Sequence, residues 1–221
     1  MKNLPLKALK LLVIGTLLLL SACSSQKPIT KVQSATPEYQ PGAYYQLINP
    51  PVLANRTDNR VEVVEMFFYA CPHCYVLEPK LANWLKGKQD IVEFKRIPAI
   101  LGPSWADQAK AYYVAEKLNI LDTIHPALLK AIHVDKRKFY DEYSVLDFFL
   151  EQGVDRKSFI DAYNSPYVAE KVNFARAMTV KYGLRGVPAL IINGKYKTAQ
   201  FYTGSQEKML KVADFLISKE L

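Results

Sequence analysis

The sequence predicts an α/β domain interrupted by an all-helical subdomain, and three observations predict it. A short apolar run, Val61–Phe68, reads as a strand buried on both faces and leads through Tyr69 and Ala70 into Cys71-Pro72-His73-Cys74 and a helical stretch. A second apolar run, Ile91–Ile97, follows it, so strand, helix and strand form a βαβ unit with parallel strands and a right-handed crossover. From Ala99 to Ser165 helical signals recur with no strand between them, and a strand signal returns only at Ala189.

The chain begins with a basic segment carrying Lys2, Lys7 and Lys10, then an apolar run, Leu11–Leu20. That run is too short for an ordinary membrane span and reads, over residues 1–22, as a secretory signal. It ends in Leu20-Ser21-Ala22-Cys23, which resembles the bacterial lipobox, after which the cysteine is lipidated and becomes the mature N-terminus. Lipidation of Cys23 would leave Cys71 and Cys74 as the only thiols. Ser24 is compatible with transfer to an outer membrane, and the choice between inner and outer membrane stays open. Residues 23–43 are polar, with three prolines, and read as a flexible tether.

Tyr44–Ile48 is an edge-strand candidate closed by Asn49-Pro50-Pro51. In the strand that follows, Val61, Val63, Val64, Met66, Phe67 and Phe68 supply the apolar pattern. Pro72 suits the first position of a helix, where a missing N–H costs nothing. Cys71 therefore falls at a helix N-terminus and at the carboxyl end of a strand, where open sheets place their chemistry. The helix dipole there moves a thiol by roughly one pKa unit, and a protonated His73 would add to it. A zinc site would need a second pair of ligands. Haem attachment would need a histidine at position 75, which is Tyr75. Two inert core cysteines are the remaining alternative. Pro-His between cysteines at a strand-to-helix junction favours a redox pair over it.

The helix after Cys74 carries Leu77, Leu81, Trp84 and Leu85 on one face, with Pro79 inside it as a kink and Lys86-Gly87-Lys88 at its end. In the helical stretch, Ser104-x-x-Asp107 and Ser144-x-x-Asp147 have the form of capping boxes. Ile124, Leu128, Leu129 and Ile132 outline a helix with Pro126 in its first turn, Asp155 starts a short helix, and Ser165-Pro166 opens one running to about Tyr182. Ala189–Ile192 is a strand, Asn193-Gly194 a hairpin turn, Tyr196–Phe201 the returning strand, and Gly204-Ser205 the start of a last helix. His125 and His133, eight apart and far in sequence from the cysteines, read as structural or surface residues.

Composition narrows the function. The 221 residues are 50% hydrophobic and 12% aromatic, enough for one sizeable core. The net charge of +8 falls to +5, 26 basic against 21 acidic residues, once the leader is set aside. Only Lys136-Arg137-Lys138 clusters. Without stacking or base-reading residues beside it, it is a solvated face rather than a nucleic-acid site.

Several of these stretches together resemble the DsbA family of thiol–disulfide oxidoreductases. They are Val64-Glu65-Met66-Phe67-Phe68 running into Cys71-Pro72-His73-Cys74-Tyr75, then Arg185-Gly186-Val187-Pro188-Ala189, then Asn193-Gly194-Lys195-Tyr196. The resemblance covers roughly Tyr44 to Leu221. It implies a thioredoxin fold, a central mixed sheet flanked by helices, over residues 44–98 and 166–221, with the helical insertion at 99–165. It implies that Val187-Pro188 is a cis peptide facing the disulfide, where Gly186, Val187 and Pro188 bind an extended substrate segment by strand addition. It makes Glu65, an acid in an apolar strand that must be paired, the acidic group beneath the disulfide, with Lys95 as its partner and proton handling at Cys74 as its role. Glu62 and Glu93 are expected as ordinary solvent-facing alternates.

The resemblance also implies the activity: a periplasmic monomer that donates its Cys71–Cys74 disulfide to exported proteins with reduced cysteines. No cofactor or metal is needed beyond that disulfide, and a quinone-linked membrane partner resembling DsbB would reoxidise it. The alternatives are an isomerase or reductant of the same fold, and a peptide-binding chaperone lipoprotein.

Overall fold

The structure is a computed structural model that describes residues 39–53 and 58–221. The leader, Cys23 and residues 24–38 of the tether lie outside the described residues.

Among the described residues five strands form one sheet: β1 (Gln46–Leu47), β2 (Val61–Phe67), β3 (Val92–Pro98), β4 (Ala189–Ile192) and β5 (Tyr196–Ala199), in the order β1-β5-β4-β2-β3. β2 and β3 are parallel, as a βαβ unit requires, and every other pair is antiparallel. β2 is buried along its whole length, which explains its nearly unbroken apolar sequence. The β4–β5 hairpin turns on Asn193 and Gly194, both at positive φ. Glycine is required at 194 because a Cβ there would stand 1.7 Å from the carbonyl oxygen of Val52.

Helix α1 (Pro72–Trp84) starts with Pro72 at its first position and Cys71 as its N-cap, and it continues through Pro79. Strand alternation divides the interior in two. Val61, Val63, Leu190 and Ile192 pack under Leu77 and Leu81 of α1 and under the C-terminal helix α8 (Gln206–Ser218). Val64, Met66, Ala189 and Ile191 face the helical subdomain. That subdomain holds α2 (Ala106–Lys117), α3 (Leu121–His133), α4 (Glu142–Glu151) and α5 (Arg156–Tyr163). Next, α6 (Pro166–Lys181) packs on α2, and a single turn, α7 (Gln200–Thr203), precedes α8.

Three local expectations are corrected. Ser104 caps nothing: a 3-10 turn over Pro103–Trp105 intervenes, and α2 begins at Ala106 with no side-chain cap. The cap of α4 is Asp141, whose carboxylate accepts from the Ser144 N–H, so the helix starts a turn before the expected box. Pro126 lies beyond the first turn of α3, which opens at Leu121. Asp155, Ser165 and Ser205 do cap their helices, each accepting from the N–H three residues on. Among the described residues no helix is long and apolar enough to cross a membrane.

Candidate active site

The end of β2 delivers Cys71 to the N-cap of α1, half-buried, and one helical turn places Cys74 beneath it, buried. Both are present as thiols. The Cys71 Sγ–H donates to the Val187 carbonyl at 3.5 Å, and the Val187–Pro188 bond that follows is cis. Beside them is a cavity of about 290 Å³ lined by His73, Gly186, Val187, Pro188 and the exposed ring of Phe201. A larger cavity, about 680 Å³, lies at the β3 edge against α2 and α6 and contains neither cysteine. Among the described residues no group of three or more His, Cys, Asp or Glu is placed to hold a metal ion.

The two thiols differ sharply. The Cys71 thiol is lowered to about 6, chiefly by a hydrogen bond from the Cys74 side chain, against the opposing effect of partial burial. The backbone N–H groups of Cys74 and His73 and positive charge at His73 add to it. The shift exceeds the roughly one unit expected of a helix dipole alone because the neighbouring thiol supplies the largest part. Burial drives Cys74 well above the ordinary thiol range, and its bond to Cys71 adds to the rise.

Glu65 lies wholly buried on β2, on the α1 side of the sheet. Burial raises its carboxyl to about 8 and outweighs the guanidinium of Arg96, which pulls it down. Glu65 and Cys74 bear on each other electrostatically. Arg96, and not Lys95, is its partner: Nε donates to Glu65 Oε2 at 3.0 Å, while the other arm of the guanidinium donates to Glu78 of α1 at 2.9 Å. The parallel register decides this. Glu65 stands beside Arg96 and Val64 beside Lys95, so Lys95 points to the opposite face. There it pairs with Glu62 at 2.8 Å and Glu93 at 3.0 Å. Glu62 is accordingly buried and ion-paired, not a solvent-facing alternate.

Sequence reasoning missed several other residues. His125 is buried: its Nδ1 is 3.0 Å from the Tyr69 hydroxyl and its Nε2 3.2 Å from Glu78 Oε1. His133 Nε2 lies 2.7 Å from the Tyr69 carbonyl and its ring stacks on Tyr75 at 4.6 Å. Gln108 of α2 accepts from the Ala70 N–H, and Gln206 of α8 donates to the His73 carbonyl. Glu78, four residues after Cys74 on one helix face, could have been found from spacing. Arg96 could have been found by carrying strand alternation across from Glu65. Nothing local marked the histidines, because they arrive from a helix about fifty residues away.

Comparison with known proteins decides the family. The DSBA-like thioredoxin domain family matches residues 87–212. The chain is 35% identical over 178 residues to the thiol:disulfide interchange protein DsbA of Burkholderia cepacia, covering 80% of this chain and 84% of that one. The chain belongs to the DsbA family. It is 32% identical over 203 residues to the Pseudomonas aeruginosa DsbA, covering 92% of this chain and 96% of that one. The crystal structure of the Pseudomonas aeruginosa DsbA superposes with a TM-score of 0.77 at 34% identity, over 82% of this chain and 94% of that one. The fold is thus the DsbA thioredoxin fold with its helical insertion, and the chain is a protein thiol:disulfide oxidoreductase.

Proposed function

We propose that this DsbA-family member works as an oxidant, donating a Cys71–Cys74 disulfide to exported proteins. The observation that carries the reading is the contrast between the two thiols: an accessible Cys71 lowered to about 6 above a buried Cys74 driven upward. A sulfur that is stable as a thiolate favours the reduced pair and so makes its disulfide a good donor; DsbA is itself the standard example of that relation.

A substrate thiolate attacks Cys71 Sγ and the Cys71–Cys74 bond breaks. Cys74 leaves with the electron pair and takes a proton, for which the protonated carboxyl of Glu65 is the nearby buried acid. A second substrate thiolate attacks the substrate sulfur of the mixed disulfide and releases Cys71 as a thiolate. Two substrate thiols have become a disulfide, and the protein has gained two electrons. His73 supplies positive charge, Pro72 sets the helix start, Gly186, Val187 and Pro188 hold the substrate strand, and Arg96 takes the place expected of Lys95.

The same reading extends to the rest of the chain. Residues 44–98 and 166–221 form the thioredoxin-like part and 99–165 the insertion. Residues 1–22 are a lipoprotein signal, Cys23 carries the lipid and 23–43 link it to the domain, although Tyr39 at the end of that stretch is already buried in the core against Phe215. The protein then works as a monomer in the periplasm on a membrane, reoxidised by a DsbB-like quinone-linked oxidase. Oxidative refolding of a reduced, disulfide-bearing protein tests the activity. The wild type should accelerate native disulfide formation and Cys71→Ala should not; acceleration by Cys71→Ala would eliminate the mechanism.

A further inference from the structure

The acid beneath the cysteines is not an isolated ion pair. It is the inner end of a chain of hydrogen bonds that leaves the thioredoxin-like part, passes through His125 of the helical insertion and returns to Tyr69. Glu65 is joined to Arg96 at 3.0 Å, Arg96 to Glu78 at 2.9 Å, Glu78 to His125 at 3.2 Å and His125 to the Tyr69 hydroxyl at 3.0 Å. Tyr69 lies two residues before Cys71, and α3 grips it twice, its hydroxyl by His125 and its carbonyl by His133.

We propose that His125 is a positioning residue for the redox reaction: by bridging Glu78 and Tyr69 it holds Glu78 on Arg96, and so lets the helical insertion tune the buried acid under Cys74. The inference deepens the disulfide-donor reading and rests on it.

The chemistry of the bridge is definite. A carboxylate only accepts, so the proton facing Glu78 is carried on Nε2, while Nδ1 meets the Tyr69 hydroxyl. The ring is buried against Phe67, Tyr69 and Tyr112, so neither nitrogen finds a substitute partner in water. Burial pushes the Glu78 carboxyl up, but the bonds and charges of His125 and Arg96 outweigh it and hold the group below the ordinary carboxylate range. Glu78 therefore stays anionic beside Arg96. That charge acts back on Glu65, whose surroundings are Arg96 on β3, Glu78 and the two cysteines on α1, and Tyr112 on α2. Arg96 shared between two carboxylates stabilises the Glu65 anion less than Arg96 held by Glu65 alone. With the His125 contact removed, Glu78 is neutralised or swings away, Arg96 turns its full charge on Glu65, and the Glu65 carboxyl falls back toward ordinary values.

The test is a titration of the Glu65 carboxyl by infrared spectroscopy in the oxidised protein, the band assigned by its loss in Glu65→Gln. His125→Phe fills the space and removes both hydrogen bonds; its midpoint should drop by about one pH unit. Disulfide donation at pH 7.5 should slow about threefold as the protonated fraction shrinks. His125→Gln, whose amide can serve both partners, should restore the wild-type midpoint and rate. A purely packing role would instead leave the midpoint in place while lowering the melting temperature. If His125→Phe does not fold, Tyr69→Phe carries the test, with a smaller downward shift. An unchanged midpoint in whichever of these two variants is read, or a His125→Gln shift as large as that of His125→Phe, overturns the inference. If the midpoint moves as expected but the wild type donates no disulfide, the donor reading fails and the coupling stands.

Discussion

Glu65 sets two large effects against each other, and its replacement by Gln shows which one wins. An ion pair with Arg96 would hold the carboxyl below its ordinary range; complete burial pushes it above, and the balance is a value near 8 against an ordinary 4.5. A group whose folded value is raised binds its proton more tightly in the folded state. The stability it confers is complete below the unfolded value and is lost as pH rises through the folded one. In the oxidised protein the Cys71 charge that adds to the rise is absent, so the window closes somewhat below pH 8; from about pH 5 upward the oxidised wild type should lose stability at up to about 1.4 kcal/mol per pH unit. The loss amounts to about 3 kcal/mol by pH 7 and about 5 kcal/mol well above pH 8, both upper limits because any relaxation around the buried carboxylate lowers the cost of its desolvation. Glu78, held low, acts in the opposite sense and in a separate window, weakening the fold only as pH falls through the acid range. Urea unfolding of the oxidised protein at a series of pH values measures this without thiol titration. Glu65→Gln should flatten the slope between pH 5 and 8. Equal slopes in the two proteins, or a wild type that gains stability with rising pH across that window, would show that the ion pair dominates and that Glu65 is no proton donor at neutral pH.

Other outcomes follow from the same geometry. Cys74→Ala removes the hydrogen bond that does most to lower Cys71, so thiolate absorbance in the reduced variant should titrate at a clearly higher pH than the wild-type value of about 6. Arg96→Met takes the shared hydrogen-bond donor from buried Glu65 and partly buried Glu78 and should cost about 2–4 kcal/mol in urea unfolding. Lys95→Met removes two pairs, to Glu62 and Glu93, made by a side chain 43% exposed and should cost about 1 kcal/mol; equal costs would contradict the assignment of Arg96 as the partner. Gly194→Ala places a side chain on a left-handed backbone, worth about 1–2 kcal/mol. It must also displace the Val52 carbonyl, so the loss measured in urea should exceed that figure.

The parts of this molecule governed by local chemistry were legible in the sequence. The apolar strand, the proline at the start of α1, the Asn-Gly turn and the caps at Asp155, Ser165 and Ser205 each depend on residues within a few positions, and each stands where that chemistry puts it. The placement of Cys71 and Cys74 at the start of α1 was legible for the same reason. The misplaced caps at Ser104 and Ser144 show the limit: a serine followed three residues later by an acid is compatible with several helix starts, and packing selected others. The surroundings of the acid were beyond local reading. Choosing Arg96 over Lys95 required the register of β2 on β3, and finding His125 and His133 required the docking of α3 against the turn before Cys71. Long-range contacts of this kind leave no periodic trace in the sequence.

Donation of the disulfide requires that Cys71 be held as a thiolate by its surroundings once the disulfide opens. Equilibration of the purified protein with reduced and oxidised glutathione tests this most directly. The prediction is a protein largely reduced by modest amounts of reduced glutathione, with a potential more oxidising than that of the glutathione couple. A protein that stays oxidised in a large excess of reduced glutathione, as structural disulfides do, would contradict it.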